Sequence, residues 1–182
     1  NTKSLDNPDW DGYYKFMNEQ LKELLTNYGE IGAIWFDGWW DHDSDSVPFD
    51  WQLPYQYELI HKLQPSCLVG NNHHQVPFEG EDIQIFERDV PGENHAGLSG
   101  QSISRLPLET CQTMNGMWGY KVTDTNYKSF NQLVQLLVKT ASKGGNLLLN
   151  VGPQPNGELP AMAVTRLKEL GQWLKVNGKA IY

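Results

Sequence analysis

From Ile31 to Phe36 the chain is almost wholly apolar, and it then meets Asp37, Gly38 and two further indoles, Trp39 and Trp40. A continuous apolar run bounded by turn residues predicts a strand buried on both faces, the kind found in parallel sheets. In barrels of alternating strands and helices the reactive groups stand where strands end, at the carboxyl rim. Asp37 occupies that place, Gly38 permits a sharp turn after it, and Trp35, Trp39 and Trp40 bring three indoles to one carboxylate. Such a setting suits a sugar, whose C–H faces stack on aromatic rings while its hydroxyls need acceptors. The competing reading is that Asp37 only caps the next turn and the tryptophans fill core.

The rest of the chain alternates in the same sense. Asp9 to Tyr28 predicts a helix, with Tyr14, Met17, Leu21, Leu24, Leu25 and Tyr28 on one face and Lys15, Asn18, Glu19, Lys22 and Glu23 on the other. Helices are also predicted from about Trp51 to Leu63, from about Asn126 to Ser142 and from Pro160 to about Val176. Short strands are expected at 67–72, 82–87, 108–115 and 146–151, the last of them buried. Strands alternating with helices make an α/β pattern with a parallel sheet, although between the third and fourth strands a glycine- and serine-containing loop stands where a helix would be expected. Five strands and about four helices are too few to close an eight-stranded barrel, which needs roughly 250 residues.

Composition narrows the function classes. The 182 residues suffice for one domain, and 12% aromatic content with seven tryptophans argues against disorder. A net charge of −8 without a basic cluster argues against nucleic acid or an anionic membrane as partner. No apolar run approaches the roughly 20 residues of a membrane span. Cys67 and Cys111 have no paired spacing, so they make neither a zinc nor a redox motif.

Three carboxylates end or begin predicted strands: Asp37, Glu87 and Glu109. Glycoside hydrolysis uses two carboxyl groups, one protonating the leaving oxygen and one attacking or activating water. An ion pair with Arg88 or Lys121 is the plain alternative for Glu87, and Glu109 sits nearer the start of its strand than the end. A metal is not expected. His73 and His74 are adjacent, so on an extended chain they point to opposite faces, and the acidic loop of Asp41, His42, Asp43 and Asp45 lacks the EF-hand order. Gly144-Gly145-Asn146 precedes a strand, not a helix, so it is not a phosphate loop. Ser99 and Ser102 lack the strand–nucleophile–helix setting of a hydrolase elbow.

These segments resemble glycoside hydrolase family 29, the α-L-fucosidases. Trp35-Phe36-Asp37-Gly38 is similar to the family's nucleophile motif. Leu108-Glu109-Thr110-Cys111, followed by Asn115 to Tyr120 with Trp118 at its centre, resembles the Trp-Glu-Thr-Cys and Ser-Trp-Gly-Tyr segment. Leu108 stands where the family usually carries tryptophan. Gly144 to Pro153, Gly171 to Leu174 and Asn177 to Tyr182 resemble the closing strand and helix.

The resemblance implies the C-terminal part of a (β/α)8 TIM-like barrel with parallel strands, without the family's upstream strands and following β-sandwich. It implies a retaining exo-α-L-fucosidase acting on fucosylated glycans, with no cofactor, and a secreted, periplasmic or lysosomal setting. Asp37 would be the nucleophile and Glu87 the acid/base, with Glu109 as rival or brace. Trp35, Trp39 and Trp118 would line the sugar's apolar face, and Asn71 or Asn72 would bond hydroxyls or the nucleophile. A carbohydrate-binding module or an inactive fragment is the alternative, distinguished by the absence of a working carboxyl pair.

Overall fold

The computed structural model describes residues 8–45 and 47–182. In chain order they form α1 (Trp10–Asn27), β1 (Ala33–Phe36), α2 (Leu53–Leu63), β2 (Leu68–Asn71), β3 (Ile83–Glu87), β4 (Leu108–Thr113), α3 (Phe130–Ser142), β5 (Gly145–Asn150) and α4 (Ala161–Asn177). The strands lie in the order β1-β2-β3-β4-β5 in one sheet, and β1–β2, β2–β3 and β4–β5 pair in parallel. This is the α/β, parallel-strand pattern expected from the alternation of elements.

The chain divides into two compact units, Asn1–Gln84 with Ser104–Leu106, and Ile85–Ile103 with Pro107–Tyr182. In the first, the core is Leu25, Leu53, Tyr57, Ile60, Cys67 and Val69, with Ile34, Phe36, Trp39 and Phe78 packed against it. Asp9 caps α1 by accepting from the Gly12 amide at 2.9 Å, an interaction of about 1 kcal/mol. Gln64 ties the end of α1 to the start of β1. Its Nε2 donates to the carbonyls of Leu25 and Gly29 at 2.7 and 2.8 Å, and its Oε1 accepts from the Ile31 amide at 2.7 Å. Asp82 does the same for β2, accepting from the Val69 amide at 2.8 Å and contacting His61 Nε2 at 2.9 Å. Helix α2 begins at Leu53, two residues later than expected. Gln52 takes a left-handed conformation there (φ 47°) and its amide donates to Asp50 Oδ1.

In the second unit β4 and β5 pair over six residues, from Leu108 opposite Gly145 to Thr113 opposite Asn150. Helix α3 begins at Phe130, later than expected from Asn126, because Ser129 and Gln132 form a reciprocal capping box there. Gly152 admits no side chain: a Cβ would stand 2.6 Å from the Tyr120 nitrogen. Both cysteines are buried and form no disulfide among the described residues.

Two expectations about burial fail. β1 and β5 are not buried on both faces: Trp35 is 38% exposed and Leu148 46%. Burial on two sides belongs to β2, β3 and β4, where runs such as Val69–Asn71, Gln84–Phe86 and Thr110–Thr113 are covered. The reason is position in the sheet, since β1 and β5 end the strand order and each has one neighbouring strand. On α1 the inner face is narrower than the periodicity predicts. Leu21 and Leu25 are buried with Asn18, while Leu24 and Tyr28 are exposed.

Candidate active site

Asp37 follows the last residue of β1, is exposed, and is released into the loop by Gly38 at φ 79°. The register places Phe36 opposite Asn71, the last residue of β2, and the Asn72 amide donates to the Phe36 carbonyl at 2.9 Å. Asn72 therefore arrives beside Asp37, and its Nδ2 donates to Asp37 Oδ1 at 3.2 Å. Asn71 turns the other way, as alternation along a strand requires, and its Nδ2 donates to the Tyr57 hydroxyl at 2.8 Å. The two asparagines thus part company. One holds the carboxylate and the other is tied to α2.

Behind Asn71 lies a buried polar chain that no local sequence signal announced. Tyr57 donates to Glu81 Oε1 at 2.8 Å, and His73 Nε2 meets the same oxygen at 2.9 Å. His73 Nδ1 accepts the Gln75 amide proton at 3.0 Å, so the ring proton is on Nε2 and is given to Glu81. Burial, above all, pushes the Tyr57 phenol far above its ordinary range, so Tyr57 remains a donor.

The indoles have separate neighbours. Trp39 meets His73 and Phe78 edge-on at 6.2 and 5.8 Å between centroids, while Trp40 stacks on His74 at 4.7 Å. The adjacent histidines do diverge, one into the core and one onto an indole. A cleft of about 610 Å³ opens beside α2, lined by Trp39, Phe49, Trp51 and Phe78 with Asp43, Asp50, Glu58 and Glu79. It does not contain Asp37 or Asn72, so cavity volume and the carboxylate point to different places. The strand-end geometry carries the chemical argument, because catalysis requires a reactive group and not volume alone.

In the second unit Glu87 is the last residue of β3, with its side chain 12% exposed. Of the two cations weighed for it, Arg88 is the partner seen, with Nε 3.8 Å from Glu87 Oε1. Arg88 is held firmly. Its amide donates to the Cys111 carbonyl at 2.9 Å, its carbonyl accepts from Gln112 Nε2 at 2.6 Å, and its φ of 62° is unusual for a residue with a Cβ. The guanidinium lies 5.0 Å over the ring of Trp118 and donates to the Gly116 carbonyl at 3.4 Å. Burial, then Arg88, holds the nearby Lys128 ammonium below the usual lysine range. Glu109 is the second residue of β4, opposite Asn146. It therefore stands at the amino end of its strand, whereas Asp37 and Glu87 stand at carboxyl ends.

The family model for alpha-L-fucosidase matches residues 1–179. The chain belongs to the α-L-fucosidase family. It is 46% identical over 159 residues to the plasma alpha-L-fucosidase of Rattus norvegicus, covering 71% of this chain and 35% of that protein. Among solved structures it resembles alpha-L-fucosidase isoenzyme 1 from Paenibacillus thiaminolyticus at a TM-score of 0.78 and 37% identity, over 97% of this chain and 42% of that one. It also resembles alpha-L-fucosidase AlfC from Lactobacillus casei in complex with alpha-L-fucose product, at a TM-score of 0.73 and 25% identity, over 96% and 49% of the two chains. The chain spans about a third of the length of the curated relatives it matches. Its parallel sheet with helices is thus part of a fucosidase TIM-like barrel.

Proposed function

We propose that the protein acts as a retaining exo-α-L-fucosidase, with Asp37 as nucleophile and Glu87 as acid/base. The observation that carries this reading is Asp37 itself: a reachable carboxylate at the carboxyl end of a parallel strand, oriented by a neutral amide, in a chain of the fucosidase family. In the first step an Asp37 oxygen attacks the anomeric carbon. The glycosidic C–O bond breaks, and the Glu87 carboxyl gives its proton to the departing oxygen. In the second, Glu87 takes a proton from water, whose oxygen displaces Asp37 and frees fucose. Each step inverts the anomeric centre, so the product keeps the configuration of the substrate.

The remaining residues take supporting roles. Trp35 and Trp118 offer apolar faces to the sugar, Asn72 orients Asp37, and Trp39, though expected at the sugar, lines the cleft beside α2. Asn71, though expected to serve hydroxyls or the nucleophile, is engaged by Tyr57. Glu109 fits a bracing role better than proton transfer, because its strand presents it at the opposite end. The substrates are glycans ending in α-L-fucose, in keeping with the fucose bound by AlfC. No described helix is long and apolar enough to cross a membrane, and the plasma relative supports a secreted or lysosomal setting.

The test is Asp37→Ala in the full-length polypeptide. Turnover falls by roughly three orders of magnitude or more, since nothing else present forms the covalent intermediate. Azide then enters from the vacated face and, with an activated aryl fucoside, yields a fucosyl azide of inverted configuration. A variant retaining a tenth of the parent kcat removes Asp37 from this role.

A further inference from the structure

We infer that Tyr57 and Glu81 are positioning residues for the nucleophile, acting through the buried end of β2 on the Asn72 amide that holds Asp37. The inference rests on the reading of Asp37 given above and extends it to residues that no motif marks.

The hydrogen-bond chain has a fixed polarity. His73 accepts a hydrogen bond from the Gln75 amide on Nδ1 and donates from Nε2 to Glu81. Tyr57 donates its single hydroxyl proton to the same carboxylate, so toward Asn71 it has only lone pairs to offer. Asn71 must therefore present its NH2 group. Among the described residues Asn71 Oδ1 is buried without a hydrogen-bond partner, and Tyr57 is the partner seen for this amide. Every member of the chain is buried: Asn71, Tyr57, Glu81 and His73.

Tyr57 reaches both strand ends that define the site. Its hydroxyl holds Asn71 on β2, and its ring lies 5.6 Å from that of Phe36, the residue before Asp37. Gly80 lets the Glu81 segment approach this closely, since a Cβ there would stand 3.1 Å from Tyr57 Cβ and its φ is 95°. Alternation does the rest. With Asn71 anchored toward α2, the next residue, Asn72, just beyond the end of β2, continues the alternation to the other side, where its Nδ2 meets Asp37. A displacement of Asn71 would be transmitted to Asn72 through a single peptide unit. Attack on an anomeric carbon is sensitive to shifts of this size, because misplacement by about 1 Å can cost 10²-fold.

The experiment is a double-mutant cycle in the full-length polypeptide, with Tyr57→Phe and Asn72→Ala assayed for kcat, KM and melting. Tyr57→Phe is expected to lower kcat about ten-fold while KM stays within about two-fold, because only orientation is lost. Added to Asn72→Ala, it lowers kcat no further than about two-fold, since the group it acts through is gone. Multiplicative losses in kcat overturn the inference, as does an unchanged kcat per folded molecule. If Tyr57→Phe does not fold, Glu81→Gln keeps an acceptor for Tyr57 and removes the charge. It is expected to lower kcat about three-fold, again without effect on the Asn72→Ala background, and a further loss on that background counts against the idea. Failure here is separable from failure of the proposed function. An inactive Asp37→Ala with azide rescue beside a multiplicative cycle leaves the nucleophile standing and removes only the positioning chain. An active Asp37→Ala removes both.

Discussion

Asp37 and Glu87 both stand at the carboxyl ends of strands, yet they are held by different means. Asp37 is exposed, and its described hydrogen-bond partner is a neutral amide, Asn72 Nδ2 at 3.2 Å. Glu87 is mostly covered, with a guanidinium 3.8 Å away that is itself laid over Trp118. A neutral donor orients a carboxylate while leaving its charge available for attack. Glu87 instead faces a cation that lies over an aromatic ring and rides on a backbone at positive φ. The contrast is between a strand-end carboxylate beside a neutral donor and one beside a cation.

The largest expected effects test that division directly. Alongside the near-complete loss for Asp37→Ala, Glu87→Gln lowers kcat/KM by roughly 10²–10⁴ for substrates with poor leaving groups. For aryl fucosides whose phenol leaves without protonation the loss is much smaller. Glu109→Gln, by contrast, costs only a few-fold on either substrate. Reversal of the two glutamates in this leaving-group comparison would transfer the acid/base role to Glu109.

A smaller effect is expected at Arg88. Replacing it by leucine removes the cation beside Glu87 and the brace over Trp118, so KM for fucosides rises about three- to ten-fold, a change of the size found for one partly exposed cation–π contact. Steady-state kinetics decide it: an unchanged KM would mean that Trp118 keeps its place without the guanidinium. The least effect is on stability at high pH. Tyr57 ionises near 10.0 when unfolded but, being buried, resists ionisation in the fold. Its contribution is complete below about pH 10 and is lost as pH rises beyond it, by up to about 1.4 kcal/mol per pH unit. Denaturant melts at pH 9 and pH 11 should show a steeper loss in the parent than in Tyr57→Phe, and equal slopes would mean that the phenol is not shielded.

Much of this arrangement is written locally. The apolar run before Asp37, the glycine after it and the alternation of strand and helix are read within a dozen residues. Together they place Asp37 and Glu87 at strand ends and identify the fold as α/β. Helix periodicity likewise finds α3, and the Ser129–Gln132 box that starts it is a four-residue signal. The exposure of β1 and β5 is not legible locally, because an apolar run looks the same in the middle of a sheet and at its edge, and only strand order tells them apart. The division of labour between Asn71 and Asn72 is of the same kind. Both are strand-end asparagines by sequence, and which one meets Asp37 depends on the parallel register with β1 and on a tyrosine 14 residues away. Glu81 lies 24 residues from Tyr57, and Asn72 lies 35 from Asp37. The chain by itself determined which groups are chemically competent and on which elements they ride. Tertiary structure alone decided which of them touch, because hydrogen bonds act over about 3 Å and such proximity between distant residues exists only after the strands have paired.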